Sequence, residues 1–422
     1  MKSIFKKKII NLFIIYICII NFINEKKIKV QSSNVVDTDI NSSSNLILNY
    51  NININNNNNN NNNLNKLFKN NNKNKKLIIG YSLSDDLNYY NNSNYNGFND
   101  FNNKDKYAGS IIWESIDILL IPRDLKNLKE IIKIAHSNQV LVSLMVSYNE
   151  IQGYKSIEVM ETSIDVIINQ IKEVEADGAS LYFKFPVDIN YKLKIFKFSQ
   201  ALKRNIVSSH FSVSLPLKIG NYDVKSISTN CDFIMVNAYD LDSSFDLARP
   251  NSDGVVVRNE IYKYWITQKL IDPNKLILSI PWYGYQFKCN NNNNNNNNEP
   301  YNIFLSSCKI DLNSKRKVYY KDIIQYKNGL GSGYKTSMEL WNINSRTPYL
   351  NYQLDQNGDI YQIQYDNAKS TYYKLAETGL LGCAIWRIDS IYGIPNVEVR
   401  NLYNSIDRSL FGNTFNKDYQ LY

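Results

Sequence analysis

The sequence of 422 residues predicts an α/β fold, specifically a (β/α)8 TIM barrel, from two observations. Eight short apolar runs, the number of strands in such a barrel, recur after residue 76. Windows with helical periodicity separate these runs, as the apolar positions Leu125, Leu128, Ile131, Ile132 and Ala135 illustrate. Alternation of this kind is typical of parallel βαβ units, and one barrel of this class can account for most of the chain.

The barrel is expected to span residues 77–412. Short Tyr-rich stretches and a turn at Asn357-Gly358 replace the alternation over about residues 319–364, which predicts a small α+β insertion before the last helix. The eight strands are predicted, in chain order, at Leu77–Ser82, Ile116–Ile121, Val140–Val146, Leu181–Phe185, Phe211–Leu215, Phe233–Tyr239, Leu276–Trp282 and Leu381–Ile388.

The segment before the barrel has two parts. Residues 1–32 have the pattern of a secretory signal peptide, because lysines precede the apolar run from Ile9 to Phe22, although an uncleaved signal anchor stays open. Residues 33–76 are Asn-rich and predicted to be disordered, since they bury little, and a second tract at 290–298 is predicted to be a loop. The protein is therefore expected in the secretory pathway, lysosomal or extracellular, with no membrane attachment after signal removal.

The cysteines fit an oxidising compartment. Four of the five remain once Cys18 is removed with the signal. Cys289 and Cys308 flank the second Asn tract and are predicted to form a disulfide, whereas Cys231 and Cys383 are expected to be buried thiols. Asn41 and Asn91 each begin an N-x-[ST] sequon and are candidate glycosylation sites.

The charge pattern argues against several classes of partner. The formal net charge is +9, but many lysines lie in the first 76 residues, and no basic stripe with interleaved aromatic residues indicates nucleic-acid binding. No cluster of His, Cys and carboxylate residues has the spacing of a metal site, so neither a metal nor a cofactor is expected. A monomer is expected.

One segment has a recognisable motif. The run Asp177-Gly178-Ala179-Ser180-Leu181-Tyr182-Phe183-Lys184, followed by Pro186-Val187, resembles the D-G-x-x-x-D-x-E motif that ends the fourth barrel strand in family 18 glycoside hydrolases, particularly their chitobiase branch. The resemblance extends over about residues 77–405. Supporting segments are Cys231-Asp232-Phe233, Tyr239-Asp240, Pro281-Trp282-Tyr283-Gly284-Tyr285, Tyr365-Asp366-Asn367 and Trp386.

The resemblance implies a damaged catalytic centre. In this family the final Glu protonates the leaving oxygen, and the Asp two residues earlier orients the substrate's own acetamido group, which is the nucleophile. Here Lys184 replaces the Glu and Tyr182 replaces the Asp, while Asp177 is retained. Strand alternation directs residues 180, 182 and 184 into the barrel mouth. No intact catalytic residue is therefore expected.

The binding side is better matched. By resemblance, Tyr239, Asp240, Asn237, Trp282 and Trp386 are the candidate substrate-binding residues, with Trp386 as the floor of a sugar subsite. The implied partners are N-acetylglucosamine-containing oligosaccharides, such as the chitobiose core of Asn-linked glycans or chitin fragments. We also predict an ion pair between Lys184 and Asp240, with a hydroxyl contributed by Tyr182 or Tyr239.

Three functions stay open at this point. The leading one is a non-catalytic member of the family that binds these oligosaccharides. The second is an active chitobiase-type hydrolase in the degradation of glycoprotein oligosaccharides, with another carboxylate as its acid. The third is a secreted interaction protein with a vestigial cleft.

Overall fold

A computed structural model describes most of the barrel region of the chain. The predicted signal peptide, the Asn-rich segment up to residue 75, both sequons, Phe185 and nearly all of the second Asn tract lie outside it. The described residues are 76–87, 90, 111–147, 157–184, 192–205, 210–241, 246–290, 307–310, 312–329, 333–354 and 358–412.

Eight parallel strands form a closed barrel, which confirms the predicted fold class. The last barrel strand along the chain pairs with the first, so the sheet has no free edge. The barrel strands, in their order around the barrel, are β1 (Leu77–Tyr81), β2 (Ile118–Pro122), β3 (Leu141–Ser147), β4 (Gly178–Tyr182), β5 (His210–Pro216), β6 (Phe233–Asn237), β7 (Leu276–Pro281) and β14 (Gly382–Trp386).

Amphipathic helices cover the outside of the barrel. Several begin at side-chain caps: Asp223 accepts a hydrogen bond from the Ser226 amide, and Asn367 forms a reciprocal capping box with Ser370. The helices are α1 (Leu128–Ser137), α2 (Ile157–Val174), α3 (Lys192–Asn205), α4 (Val224–Asn230), α5 (Gly254–Glu260, continued by a π-helical segment Ile261–Gln268), α6 (Tyr320–Lys327), α7 (Ala368–Thr378) and α8 (Asn396–Phe411). Among the described residues, no helix is long and apolar enough to cross a membrane.

The fourth strand lies earlier than predicted. It spans Gly178–Tyr182, whereas the sequence predicted Leu181–Phe185. The apolar run that suggested a strand continues past the end of the sheet, where the Phe183 amide still donates to the Ser214 carbonyl. Lys184 consequently stands beyond the strand, at the rim of the barrel.

The insertion is larger than predicted. It begins at β8 (Tyr283–Lys288), which Trp282 alone separates from barrel strand β7, so no break in the apolar pattern marks its start. It ends before α7, barrel strand β14 and the last helix, α8, so it precedes the last helix as predicted. Its sheet has the order β10-β12-β13-β8-β9, with β11 paired to β12; the remaining bounds are β9 (Arg316–Tyr319), β10 (Tyr334–Thr336), β11 (Leu340–Asn342), β12 (Thr347–Leu354) and β13 (Ile360–Gln364).

The disulfide between Cys289 and Cys308 is present, as predicted. The two Cα atoms are 5.1 Å apart, within the usual range for this bond. Both cysteines are buried in a small apolar cluster with Phe287, Ile310 and Ile360, beside the insertion sheet. Cys231 and Cys383 are buried free thiols, also as predicted.

A buried ion pair joins the insertion to the barrel. Lys374 on α7 contacts Asp366, which follows the last strand of the insertion, and each side chain is only 1% exposed. The Ser370 hydroxyl donates a second hydrogen bond to the same carboxylate oxygen, at 2.6 Å. Desolvation lowers the pKa of Lys374, but the neighbouring Asp366 opposes that effect. The pair is therefore a charged contact that is shielded from solvent.

A second buried polar contact lies at the base of the barrel, between His210 on β5 and the Ser143 hydroxyl on β3. A Cβ atom at Gly178, on the strand between them, would lie 2.9 Å from the His210 Nδ1 atom and still closer to its carbonyl oxygen. Glycine is thus required at this motif position so that the imidazole can lie across β4.

We expect His210 to make the protein sensitive to acid. Burial lowers the pKa of His210 from 6.5 to about 4, against the smaller opposing effects of Asp232 and Asp177, while Lys203 lowers it further. Because the unfolded state binds this proton more tightly than the folded state, protonation favours unfolding. The free energy of unfolding should therefore be highest above pH 6.5 and should fall by about 3 kcal/mol as the pH decreases to 4.

Urea unfolding at pH 7.5 and pH 4 measures this loss. His210→Asn should show a loss between the two pH values that is smaller than that of the wild type by about 3 kcal/mol. An unchanged pH dependence in the variant would show that other groups cause the acid sensitivity.

Candidate active site

Aromatic side chains from three barrel strands, and Tyr239 just past the end of β6, meet at the carboxyl end of the barrel. Trp386, the last residue of β14, lies parallel to the Tyr182 ring, with centroids 4.8 Å apart and planes inclined by 6°. Tyr81 packs edge-on against Trp386 at 5.0 Å, and Tyr239 stacks on it at 6.0 Å. The peptide bond after Trp386 is cis. Four aromatic rings therefore pack together at this end of the barrel, and one broad face of Trp386 is covered by Tyr182.

Tyr239 and Asn237 form a hydrogen-bonded unit beneath this cluster. The Asn237 Oδ1 atom accepts hydrogen bonds from the Tyr239 hydroxyl, at 3.1 Å, and from the Ser214 hydroxyl, at 2.8 Å. Its Nδ2 atom donates to the Phe183 carbonyl oxygen at 3.2 Å. Asn237 is buried and so acts by positioning Tyr239 and the end of β4. Burial also raises the pKa of Tyr239 and Tyr182, so both hydroxyls are neutral.

Lys184 and Asp240 face each other across the rim, as the sequence predicted. The Lys184 Nζ atom lies 3.1 Å from the Asp240 Oδ2 atom, and their side chains are 46% and 18% exposed respectively. The backbone of Asp240 is left-handed, with φ of 54°, a conformation that Asp tolerates better than most residues. Its amide donates to the Asn251 Oδ1 atom at 2.9 Å, which fixes the carboxylate at the end of β6.

The hydroxyl donors to Asp240 are not the predicted ones. Tyr283 and Tyr285, on insertion strand β8, donate to its Oδ1 atom, Tyr285 at 2.6 Å. Tyr239 bonds to Asn237 instead, and Tyr182 stacks on Trp386. Burial alone would raise the pKa of Asp240, but the two hydroxyls and the Lys184 ammonium lower it below its ordinary value. Asp240 is therefore a carboxylate at any physiological pH and a poor proton donor.

Further charges surround this pair. The Lys317 ammonium, on β9, lies 3.8 Å from the centre of the Tyr283 ring and interacts electrostatically with Asp240, Lys184, Arg387 and Asp389. Arg387 donates to Asp389 through its Nε atom at 2.5 Å. We call the group of Lys184, Asp240, Lys317, Arg387 and Asp389 the cleft mouth.

Two candidate site residues lie elsewhere. Asp177 precedes β4 at the opposite end of the barrel, roughly 16 Å along the strand from Tyr182. There its Oδ2 atom accepts a hydrogen bond from the Val142 amide and pairs with His136, both at 2.8 Å.

Trp282 is fully buried and packs edge-on against Tyr403 of α8. Its predicted contact with substrate is wrong, because it faces the outer helical layer.

The sequence motifs do not single out every residue of the site. The pattern Tyr283-Gly284-Tyr285 contributes to the family resemblance, and its alternation on a strand puts both hydroxyls on one face. Lys317 has no local signal, since its position depends on the pairing of β8 with β9, where Tyr285 is opposite Lys317. In the described part of the chain, no group of His, Cys, Asp and Glu residues is arranged to hold a metal ion.

Comparisons with known proteins agree with this architecture. A family model described as glycosyl hydrolases family 18 matches residues 47–390. The chain is 28% identical over 179 residues to di-N-acetylchitobiase of Mus musculus, a match that covers 40% of this chain and 46% of that protein. It is 25% identical over 267 residues to probable di-N-acetylchitobiase 1 of Dictyostelium discoideum, covering 55% of this chain and 68% of that one. The chain thus matches less than half the length of the mouse protein.

Solved structures share the fold. A chitinase from Rhizomucor miehei superposes with a TM-score of 0.59 at 17% identity, over 79% of this chain and 100% of that one. A family 18 chitinase from Cycas revoluta, determined in complex with (GlcNAc)3, superposes with a TM-score of 0.58 at 13% identity. The match covers 79% of this chain and 99% of that one. At these identities the likeness establishes the barrel architecture alone.

Proposed function

Since the chain belongs to glycosyl hydrolases family 18, we propose that it binds N-acetylglucosamine-containing oligosaccharides at the carboxyl end of its barrel without hydrolysing them. Active sites of barrels of this class lie at that end. Candidate ligands are the chitobiose core of Asn-linked glycans and chitin fragments. The proposal combines a family whose members act on sugars with a cleft that carries aromatic and polar side chains suited to a saccharide.

One observation supports the non-hydrolytic part of the proposal: Lys184 stands at the position of the catalytic acid and is paired with Asp240. General acid catalysis needs a group that holds a proton and releases it near the working pH. Lys184 would add a positive charge where the transition state is itself cationic. Asp240 is held in its ionised form by Tyr283, Tyr285 and Lys184. Neither residue meets the requirement for a proton donor.

The stacking of Tyr182 on Trp386 bears on where a sugar would bind. Carbohydrate C–H groups pack on aromatic faces, and Trp386 is the residue that the family resemblance assigns to this role. Tyr182 already covers one face of it at a centroid distance of 4.8 Å. Binding at the inner position therefore requires Tyr182 to move, and the energy of the stacked pair opposes that movement.

We expect Tyr182→Ala to tighten the binding of N,N′-diacetylchitobiose by up to about tenfold, because a stacked aromatic pair contributes about 0.5–1.5 kcal/mol. Isothermal titration calorimetry measures the change, and the exposed Tyr262→Ala is the matched control. Unfolding curves of each variant establish that the barrel is intact. An unchanged affinity in Tyr182→Ala would show that the stacked ring does not compete with the sugar for Trp386.

The same stacking favours a second candidate, a secreted interaction protein whose cleft is vestigial. In that case neither the wild type nor Tyr182→Ala binds N,N′-diacetylchitobiose or the corresponding trisaccharide in the calorimeter. Binding by either protein would argue for the first candidate. The two functions are therefore separated by the same titration.

We further propose that the protein works in the secretory pathway, in a lysosome or outside the cell, as a monomer. The basic and apolar residues at the start of the sequence support this location. So does the disulfide between Cys289 and Cys308, because such bonds persist mainly in oxidising compartments. Immunoblotting of culture medium and of a lysosomal fraction would test the location.

A further inference from the structure

The cleft mouth has more positive than negative side chains. Its two carboxylates are each matched by a cation: Asp240 by Lys184 at 3.1 Å and Asp389 by Arg387 at 2.5 Å. Lys317 is the third cation of the group; its ammonium lies 3.8 Å from the centre of the Tyr283 ring and forms no ion pair with a carboxylate among the described residues. One positive charge in the cleft mouth is therefore not balanced within it.

A further lysine stands beside the same group. The Lys315 Nζ atom lies 4.1 Å from the centre of the Tyr285 ring, and Tyr285 itself bonds to Asp240. Lys317 lies on insertion strand β9 and Lys315 lies just before that strand, so both lysines come from the insertion and not from the barrel motif.

The placement of Lys317 suits the capture of an anion. The pKa of Lys317 is lowered, first by desolvation and then by the repulsion of Lys184 and Arg387, against the attraction of Asp240 and Asp389. An ammonium that has lost part of its hydration next to other cations gains more than an isolated surface lysine from the approach of a negative group. The Lys317 side chain as a whole is exposed, but its ammonium lies over the Tyr283 ring. The ring shields one side of the ammonium, so salt screens its attraction to an anion less than it would at a fully exposed lysine.

We propose that the cleft mouth selects acidic saccharides, in which an N-acetylglucosamine unit carries a sulfate, phosphate or carboxylate group that contacts Lys317. This inference rests on the proposed function, because it takes the cleft to be a glycan-binding site. It adds the chemical class of the ligand. A neutral chitobiose unit would leave the excess positive charge of the cleft mouth unmatched, whereas an acidic unit complements it.

The experiment compares three probes by calorimetry in about 50 mM NaCl: N-acetylglucosamine 6-sulfate, N-acetylglucosamine and inorganic sulfate. We expect the sulfated sugar to bind about tenfold more tightly than the neutral sugar, with the difference reduced in about 0.5 M NaCl. Lys317→Gln should abolish the preference, and Lys317→Arg should keep it. Lys133→Gln, which removes an exposed lysine on the outer helix α1, is the control and should keep it too.

The outcomes separate the two proposals. Equal binding of the sulfated and neutral sugars overturns the inference and leaves the proposed function standing. Inorganic sulfate binding as tightly as the sulfated sugar also overturns it, since the cleft mouth would then be a site for small anions. If neither sugar binds, both proposals fail. A preference that persists in Lys317→Gln shows that Lys317 does not confer it, and unfolding curves establish that this exposed substitution leaves the fold intact.

Discussion

We expect the wild-type protein to hydrolyse a chromogenic di-N-acetylchitobioside at least about 10²–10⁴-fold more slowly than a family 18 enzyme that carries both catalytic carboxylates. That factor corresponds to the loss of a general acid alone. By the family resemblance, Tyr182 also replaces the carboxylate that would orient the substrate's acetamido group, so we expect the two losses to compound. Release of the chromophore over a range of about pH 4 to 8 measures the rate, and turnover comparable to such an enzyme would overthrow the proposal.

The corresponding gain-of-function variant is Tyr182→Asp combined with Lys184→Glu. It introduces the two carboxylates of the family motif and removes the ring that covers Trp386, so we expect clearly faster hydrolysis than that of the wild type. Each single change is a control, because one carboxylate without the other should remain inactive. The carboxylate introduced at position 184 would lie close to Asp240, and their like charges would raise the pKa of one of them, as a general acid needs.

A second large effect is expected from the buried pair in the outer layer. Lys374→Met leaves the Asp366 carboxylate without its cation inside the protein and should lower the free energy of unfolding by about 3–5 kcal/mol. Chemical denaturation followed by tryptophan fluorescence measures the change. Lys321→Met, which replaces an exposed lysine on α6, is the matched control and should change stability by less than about 0.5 kcal/mol.

The double variant Lys374→Met with Asp366→Asn completes this test. If the penalty arises from the unpaired charge, neutralising Asp366 should recover most of the lost stability, while the amide can still accept the Ser370 hydrogen bond. A double variant as unstable as Lys374→Met alone would mean that packing of the lysine stem, and not its charge, matters at this position.

The barrel is predictable from the sequence because its strands are buried on both faces and therefore appear as short apolar runs. The exact ends are less predictable. Phe183 belongs to the apolar run of the fourth strand but lies past the end of β4. Tyr182 is the last residue of β4 that pairs with both β3 and β5, and no local sequence pattern indicates where this pairing ends. The start of the insertion is hidden for a similar reason, since β8 follows β7 with one residue between them.

The candidate active site is likewise only partly predictable from the sequence. The Lys184 and Asp240 pair follows from the register of two strands and from the cost of leaving an ammonium without a partner. The hydroxyls that complete it come from Tyr283 and Tyr285, and their approach depends on how the insertion sheet folds over the barrel. The prediction for Trp282 fails because an aromatic residue at a strand end fits both a sugar platform and a packing role, and only its burial against Tyr403 distinguishes them.

The disulfide between Cys289 and Cys308 affects how far the length of the second Asn tract can vary without loss of stability. The disulfide holds Cys289 and Cys308, which flank the second Asn tract, at a Cα separation of 5.1 Å within a buried apolar cluster. For a flexible loop with anchored ends, each doubling of length costs only about 0.6 kcal/mol of closure entropy. Runs of one repeated residue lengthen and shorten readily during replication. Alleles that differ by several asparagines between these two cysteines should therefore encode proteins of nearly equal stability, and the covalent anchor buffers the barrel against expansion of the repeat.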